Sequence, residues 1–158
     1  MNLTDFQKLG QELYDKLHLP TYPVAITYIK SEDEIPAQAM RPSAMNQQFS
    51  QAVKSGNTIY VSGQVGVDEN FKPGSGIEEQ TDLAFLNLKK VLAEAGATLE
   101  DVVELVTYHT SMKDISGFSK VKAKFIAKDY PAWTAVGVTA LVLPALLVEI
   151  RATAVISG

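Results

Sequence analysis

A chain of 158 residues holds one domain with little to spare, and its 46% hydrophobic and 20% charged residues predict a packed core rather than disorder. With no cysteine, disulfides, thiolate nucleophiles and thiolate metal sites are excluded; two histidines, His18 and His109, leave a structural zinc site short of ligands. A net charge of −4, no basic signal-peptide start and no apolar run near the ~20 residues of a membrane span predict a cytoplasmic protein with neither nucleic acid nor membrane as partner.

The elements follow in chain order. Thr4 and Gln7 have capping-box spacing, and Phe6, Leu9, Leu13 and Leu17 form the stripe of an N-terminal helix that Pro20 and Pro23 end. Val24 to Ile29 reads as a strand and Ser31 to Pro42 as a polar connector, so residues 1–42 are set apart as an extension of a domain spanning 43–158. Phe49 to Lys54 and Thr58 to Ser62 read as strands around a Ser55-Gly56-Asn57 turn, with Gly63 and Gly66 placed for a bulge or close packing. A long helix is predicted over Ile77 to Ala95, acidic at its start, with Gly96 as its left-handed terminator. Val102 to Met112 is β-branched enough for a strand, Ser116 to Ala127 has a helical face of Phe118, Val121 and Phe125, and Ala132 to Leu141 and Leu146 to Ile156 close the chain as strands. Two helices on one face of a mixed sheet make an α+β layer architecture, and the apolar Leu146-Leu147-Val148 and Ile150 favour burial on both sides and hence oligomerisation. These patterns reach an oligomeric α+β protein and no reaction.

The motifs carry more. Ser50-Gln51-Ala52-Val53, Tyr60-Val61-Ser62-Gly63-Gln64, Ile77-Glu78-Glu79-Gln80-Thr81, Asn87-Leu88-Lys89, Leu92-Ala93-Glu94-Ala95-Gly96, Met112-Lys113-Asp114, Tyr130-Pro131-Ala132 and Leu147-Val148-Glu149-Ile150 stand in one order over about two thirds of the chain. In these the sequence resembles the RidA family, also called YjgF/YER057c/UK114. The resemblance implies a chorismate-mutase-like α+β fold, a homotrimer, and small-molecule pockets at subunit interfaces with no cofactor. It also implies, for the best-studied branch, hydrolysis of reactive 2-imino acids to 2-keto acids, with an arginine after Pro-Ala gripping the substrate carboxylate.

That arginine is absent: Trp133 follows Pro131-Ala132. Phe49 stands where the deaminases usually have tyrosine, Ala135 where they often have cysteine, and Lys122 where asparagine is common, whereas Glu149 matches the family glutamate that handles the attacking water. Thr107-Tyr108-His109 and the run from Pro131 to Val138 resemble an arginine-lacking branch. The candidate catalytic residues are therefore Glu149 and His109, and the candidate substrate-binding residues are Trp133, Phe49, Ser62 and Lys122, with Lys122 or Arg41 as a substitute cation. Each has a plainer reading. His109 fits a packed imidazole, Glu149 an ion pair with Arg151 on its own face, Trp133 a plug of the vacated pocket, and Lys120, Lys122 and Lys124 a solvated face. The leading expectation is a trimer binding a small metabolite, with hydrolase or tautomerase chemistry. Imine deamination through another cation, a non-catalytic binding or regulatory module, and endoribonuclease action follow in that order.

Overall fold

In a computed structural model, residues 26–28 and 49–157 are described. The predicted N-terminal helix and the connector at 31–42 lie outside them, as do His18 and Arg41. The strands are β1 (Ile26–Tyr28), β2 (Ala52–Ser55), β3 (Thr58–Val65), β4 (Val102–His109), β5 (Ala132–Gly137) and β6 (Val148–Val155); the helices are α1 (Gly76–Glu94) and α2 (Ile115–Phe125). They form one sheet in the order β1-β2-β3-β6-β4-β5, in which β1–β2 and β4–β5 are parallel and the other pairs antiparallel. This is the expected α+β arrangement.

Local chemistry sets the boundaries. Ser55 pairs with Thr58 across the two-residue turn Gly56-Asn57, and Gly56 takes φ +57°, the left-handed conformation such hairpin turns need. At the start of α1 the Ser75 amide donates to Glu79 Oε2 at 2.6 Å. At its end Gly96, φ +78°, lets the Gly96 amide reach Ala93 O and the Ala97 amide reach Leu92 O, a Schellman closure.

The core lies between the sheet and the helices. Ala84, Phe85, Leu88, Val91 and Leu92 of α1 and Phe118 of α2 pack on Ile59, Val61, Leu105, Ile150 and Ala152. Phe85 stacks on Phe125 with centroids 4.9 Å apart. Buried Gln80 fixes the chain entering β6, donating to Gly74 O and Ala145 O and accepting from the Leu147 amide. Asn87 does the same for the end of β3 through Val65 O and Val67 O.

Two strands are shorter than their composition predicts. β4 stops at His109, where a short 3-10 turn over Met112–Asp114 begins, and β5 stops at Gly137, so that Val138 to Leu147 is a loop. The β4–β5 ladder ends at His109 and Gly137, and beyond it single backbone bonds, Val138 N–H to His109 O and Thr110 N–H to Leu147 O, take the place of paired strand. Within one subunit the last strand is covered on one face only. In β6, Val148, Ile150, Ala152 and Ala154 are buried under the helices, while Glu149, Arg151, Thr153 and Val155 point to the uncovered face.

Candidate functional site

The uncovered face carries a cleft of about 360 Å³ lined by Tyr108, Glu149, Arg151 and the loop residues Val138, Ala140, Leu141 and Val142. Tyr108 stands opposite Glu149 in the β4–β6 ladder, and Val65 stands opposite it on the other side. The Glu149 carboxyl extends over Gly63, where the β3–β6 register shifts. A side chain at Gly63 would occupy the carboxyl's own volume, so the bulge glycine is what admits this rotamer. Gly66 is a close-packing glycine, since a Cβ there would meet the backbone of Gln80.

Burial raises the pKa of Glu149 above the usual glutamate value of 4.5. No neighbouring cation counteracts this. Among the described residues the ion pairs are Lys120–Glu78 and Lys128–Asp129, so the Glu149–Arg151 pair does not form. A half-buried carboxyl without a partner is unusual for a structural group and is suited to proton transfer or to holding a water molecule.

His109 does not join it. His109 and Thr107 are fully buried on the helix side of β4, and Glu149 projects from the opposite face of the neighbouring strand. His109 Nε2 lies 2.9 Å from Thr107 Oγ1, and the ring packs edge-on against Phe118 at 4.9 Å. Its Nδ1 is buried without a partner. Desolvation lowers its pKa below 6.5, and Asp114 partly opposes this. Within one subunit the sheet therefore separates Glu149 from His109, so the two do not meet there as acid–base partners.

Trp133 and Lys122 also lie on the helix side of the sheet. Trp133 Nε1 donates to Thr107 Oγ1 at 3.0 Å, its ring stacks on Phe118 at 5.6 Å, and Lys122 Nζ lies 4.5 Å above it. Trp133 is thus engaged within the subunit, although 37% of it stays exposed. Lys122 also approaches the Tyr130 ring at 5.8 Å, whereas Lys120 pairs with Glu78 at 2.9 Å. The lysines therefore do not form one solvated face: residues two apart on a helix point in nearly opposite directions. Ser62 stays near Glu149: it precedes Gly63 on β3 and shares the uncovered face with Tyr60, where its Oγ donates to Ser50 O at 2.6 Å, a strand-linking bond; half-buried Phe49 leads into β2.

Missed by sequence reasoning were Arg151 and Tyr108 as cleft residues and the loop 138–142 as its wall. Strand alternation from Glu149 pointed to Arg151, but the loop was read as strand. No group of three potential metal ligands occurs among the described residues. No described helix is long and apolar enough to cross a membrane.

Comparison with known proteins agrees with this architecture. A family model described as Endoribonuclease L-PSP matches residues 38–156. The RutC family protein YjgH of Escherichia coli is 42% identical over 93 residues, covering 58% of this chain and 71% of that protein. A 2-iminobutanoate/2-iminopropanoate deaminase of Dermatophagoides farinae is 36% identical over 95 residues, covering 59% of this chain and 74% of that protein. The crystal structure of RidA from an Antarctic Psychrobacter superposes with TM-score 0.66 at 37% identity, covering 68% of this chain and 88% of that one. With the motifs in order, the fold in common and three quarters of its length matched, the chain belongs to the endoribonuclease L-PSP family, the RidA/YjgF proteins.

Proposed function

We propose that the protein is a homotrimer that binds a small metabolite in the Glu149 cleft and catalyses hydrolysis or tautomerisation there, with Glu149 orienting water or moving the proton. The observation that carries the reading is the Glu149 carboxyl itself, half-buried, unpaired and held over Gly63 in an otherwise largely apolar cleft. Assembly is supported by the sheet face opposite the helices, where Tyr60, Val136 and Val155 are exposed.

The kinship with a named imine deaminase supports imine hydrolysis as the nearest chemistry. The standard grip on the substrate carboxylate is missing, because Trp133 holds that position and is engaged with Phe118 and Thr107. An RNA substrate is the least supported reading: the net charge is −4 and the cleft presents one arginine beside a carboxyl.

The test follows two reactions in wild type and Glu149→Gln. One is hydrolysis of 2-iminobutanoate generated in situ by a threonine dehydratase, and the other is proton–deuterium exchange at C3 of small 2-keto acids. Wild type is expected to accelerate one of them above the spontaneous rate, with a loss of ~10²-fold or more in Glu149→Gln. Equal rates in the two proteins overturn the assignment.

A further inference from the structure

We propose that Arg151 is the anion anchor of the Glu149 cleft, and that the ligand is a small carboxylate whose oxygens pair with its guanidinium while the adjacent carbon lies against Glu149. This deepens the proposed function and rests on it.

Glu149 and Arg151 are two residues apart on β6, so they leave the same face about 6.8 Å from each other along the strand. Both line the cleft, yet neither is spent on the other, since no ion pair joins them. Among the described residues, Arg151 has neither an ion pair nor a side-chain hydrogen bond. A planar fork of donors therefore stands free at the mouth of a pocket whose wall is Val138, Ala140, Leu141 and Val142. Such a fork matches a carboxylate through two parallel bonds, and the spacing then sets the next carbon of that ligand beside the Glu149 carboxyl. Because a carboxyl flanks the single cation, a monoanion suits the site better than a doubly charged phosphate. A volume of about 360 Å³ favours a compact ligand.

The other described cation considered for this task is occupied. Lys122 lies over the Trp133 and Tyr130 rings on the helix side of the sheet. The grip that the Pro-Ala-Trp segment lacks is supplied instead from β6, two strands away and on the other face of the sheet.

The experiment titrates the full chain with 2-oxobutanoate and with its uncharged amide, 2-oxobutanamide, at low and moderate salt. The proteins are wild type, Arg151→Ala, Arg151→Lys and Glu149→Gln. Arg151 is exposed, so its truncation leaves the core untouched, and a matching circular dichroism spectrum checks this. Arg151→Ala is expected to weaken 2-oxobutanoate binding ~10-fold or more, with Arg151→Lys intermediate and amide binding unchanged. Added salt should weaken acid binding in wild type and not in Arg151→Ala. Equal binding of the acid by wild type and Arg151→Ala overturns the anchor, as does a wild type that binds no acid or fails to prefer it over the amide. Unchanged anion binding in Arg151→Ala with turnover lost in Glu149→Gln removes the anchor and leaves the Glu149 assignment standing. Weakened anion binding with full turnover in Glu149→Gln does the reverse.

Discussion

The carboxyl of Glu149 occupies the space that a side chain at Gly63 would fill. The relationship ties a chemical group on β6 to a bulge on β3, and it makes Gly63 a positioning residue. Because only the flexible end of Glu149 has to move, Gly63→Ala is expected to fold with a stability change of about 1 kcal/mol or less. Turnover should fall ~10-fold or more, since a displacement of about 1 Å at a reacting group is costly. Urea unfolding and kcat/KM on the same preparation check both halves. Full turnover in Gly63→Ala would mean that this carboxyl position is not the working one.

Glu149 also imposes a pH dependence on stability. Burial raises its folded pKa above 4.5, so between 4.5 and the raised value the native state holds more protons than the unfolded chain. Its contribution to stability is therefore complete below 4.5 and declines as pH rises through the folded pKa. Glu149→Gln should flatten this decline and unfold at a higher urea concentration than wild type at neutral pH. Urea midpoints measured in parallel from pH 4 to 8 test the sign. A steeper decline in the variant would contradict it.

His109 should behave in the opposite sense. Desolvation lowers its folded pKa, so below 6.5 the unfolded chain takes up a proton that the native state refuses, and stability is lost as pH falls. With only two histidines, the imidazole resonances can be assigned directly. The His109 resonance is expected to titrate with a midpoint below 6.5, and a midpoint at or above 6.5 would show that the ring is hydrated. Because Nδ1 has no buried partner, protonation would leave a second N–H unsatisfied in the core, which adds to the cost.

The α+β layers were legible because their signals are local: the α1 stripe, the Gly96 terminator, the Gly56-Asn57 turn and the alternation in β6 each depend on a few adjacent residues. The ends of β4 and β5 were not, because a β-branched run stays extended only where a partner strand exists, and the ladder ends at the His109–Gly137 pair. The site divides in the same way. Glu149 was found through its match to the family glutamate, its charge in an apolar strand fitting either a site or an ion pair with Arg151, which was on its face by alternation. That Glu149 and Arg151 stand apart, that His109 lies across the sheet, and that Lys122 leans on Trp133 are tertiary facts that no spacing encodes.

Trp133 gives the last prediction, because it stands where an arginine would be expected and is already engaged. Its ring stacks on Phe118, its indole N–H donates to the Thr107 hydroxyl that also contacts His109, and Lys122 covers its outer side. Trp133→Ala should cost about 1–2 kcal/mol, less than a fully buried tryptophan, because the side chain is 37% exposed. Trp133→Arg loses the same stacking and sets a guanidinium beside the Lys122 ammonium, which was 4.5 Å from the ring. This single change is expected to destabilise the protein at least as much as Trp133→Ala and to leave 2-iminobutanoate hydrolysis at the wild-type level. Adding Lys122→Asn removes the like charge, so the double variant should recover part of the lost stability, a coupling of about 0.5–1 kcal/mol. Urea unfolding of the four proteins closes the cycle, and strictly additive losses would mean that the Lys122–Trp133 contact is incidental.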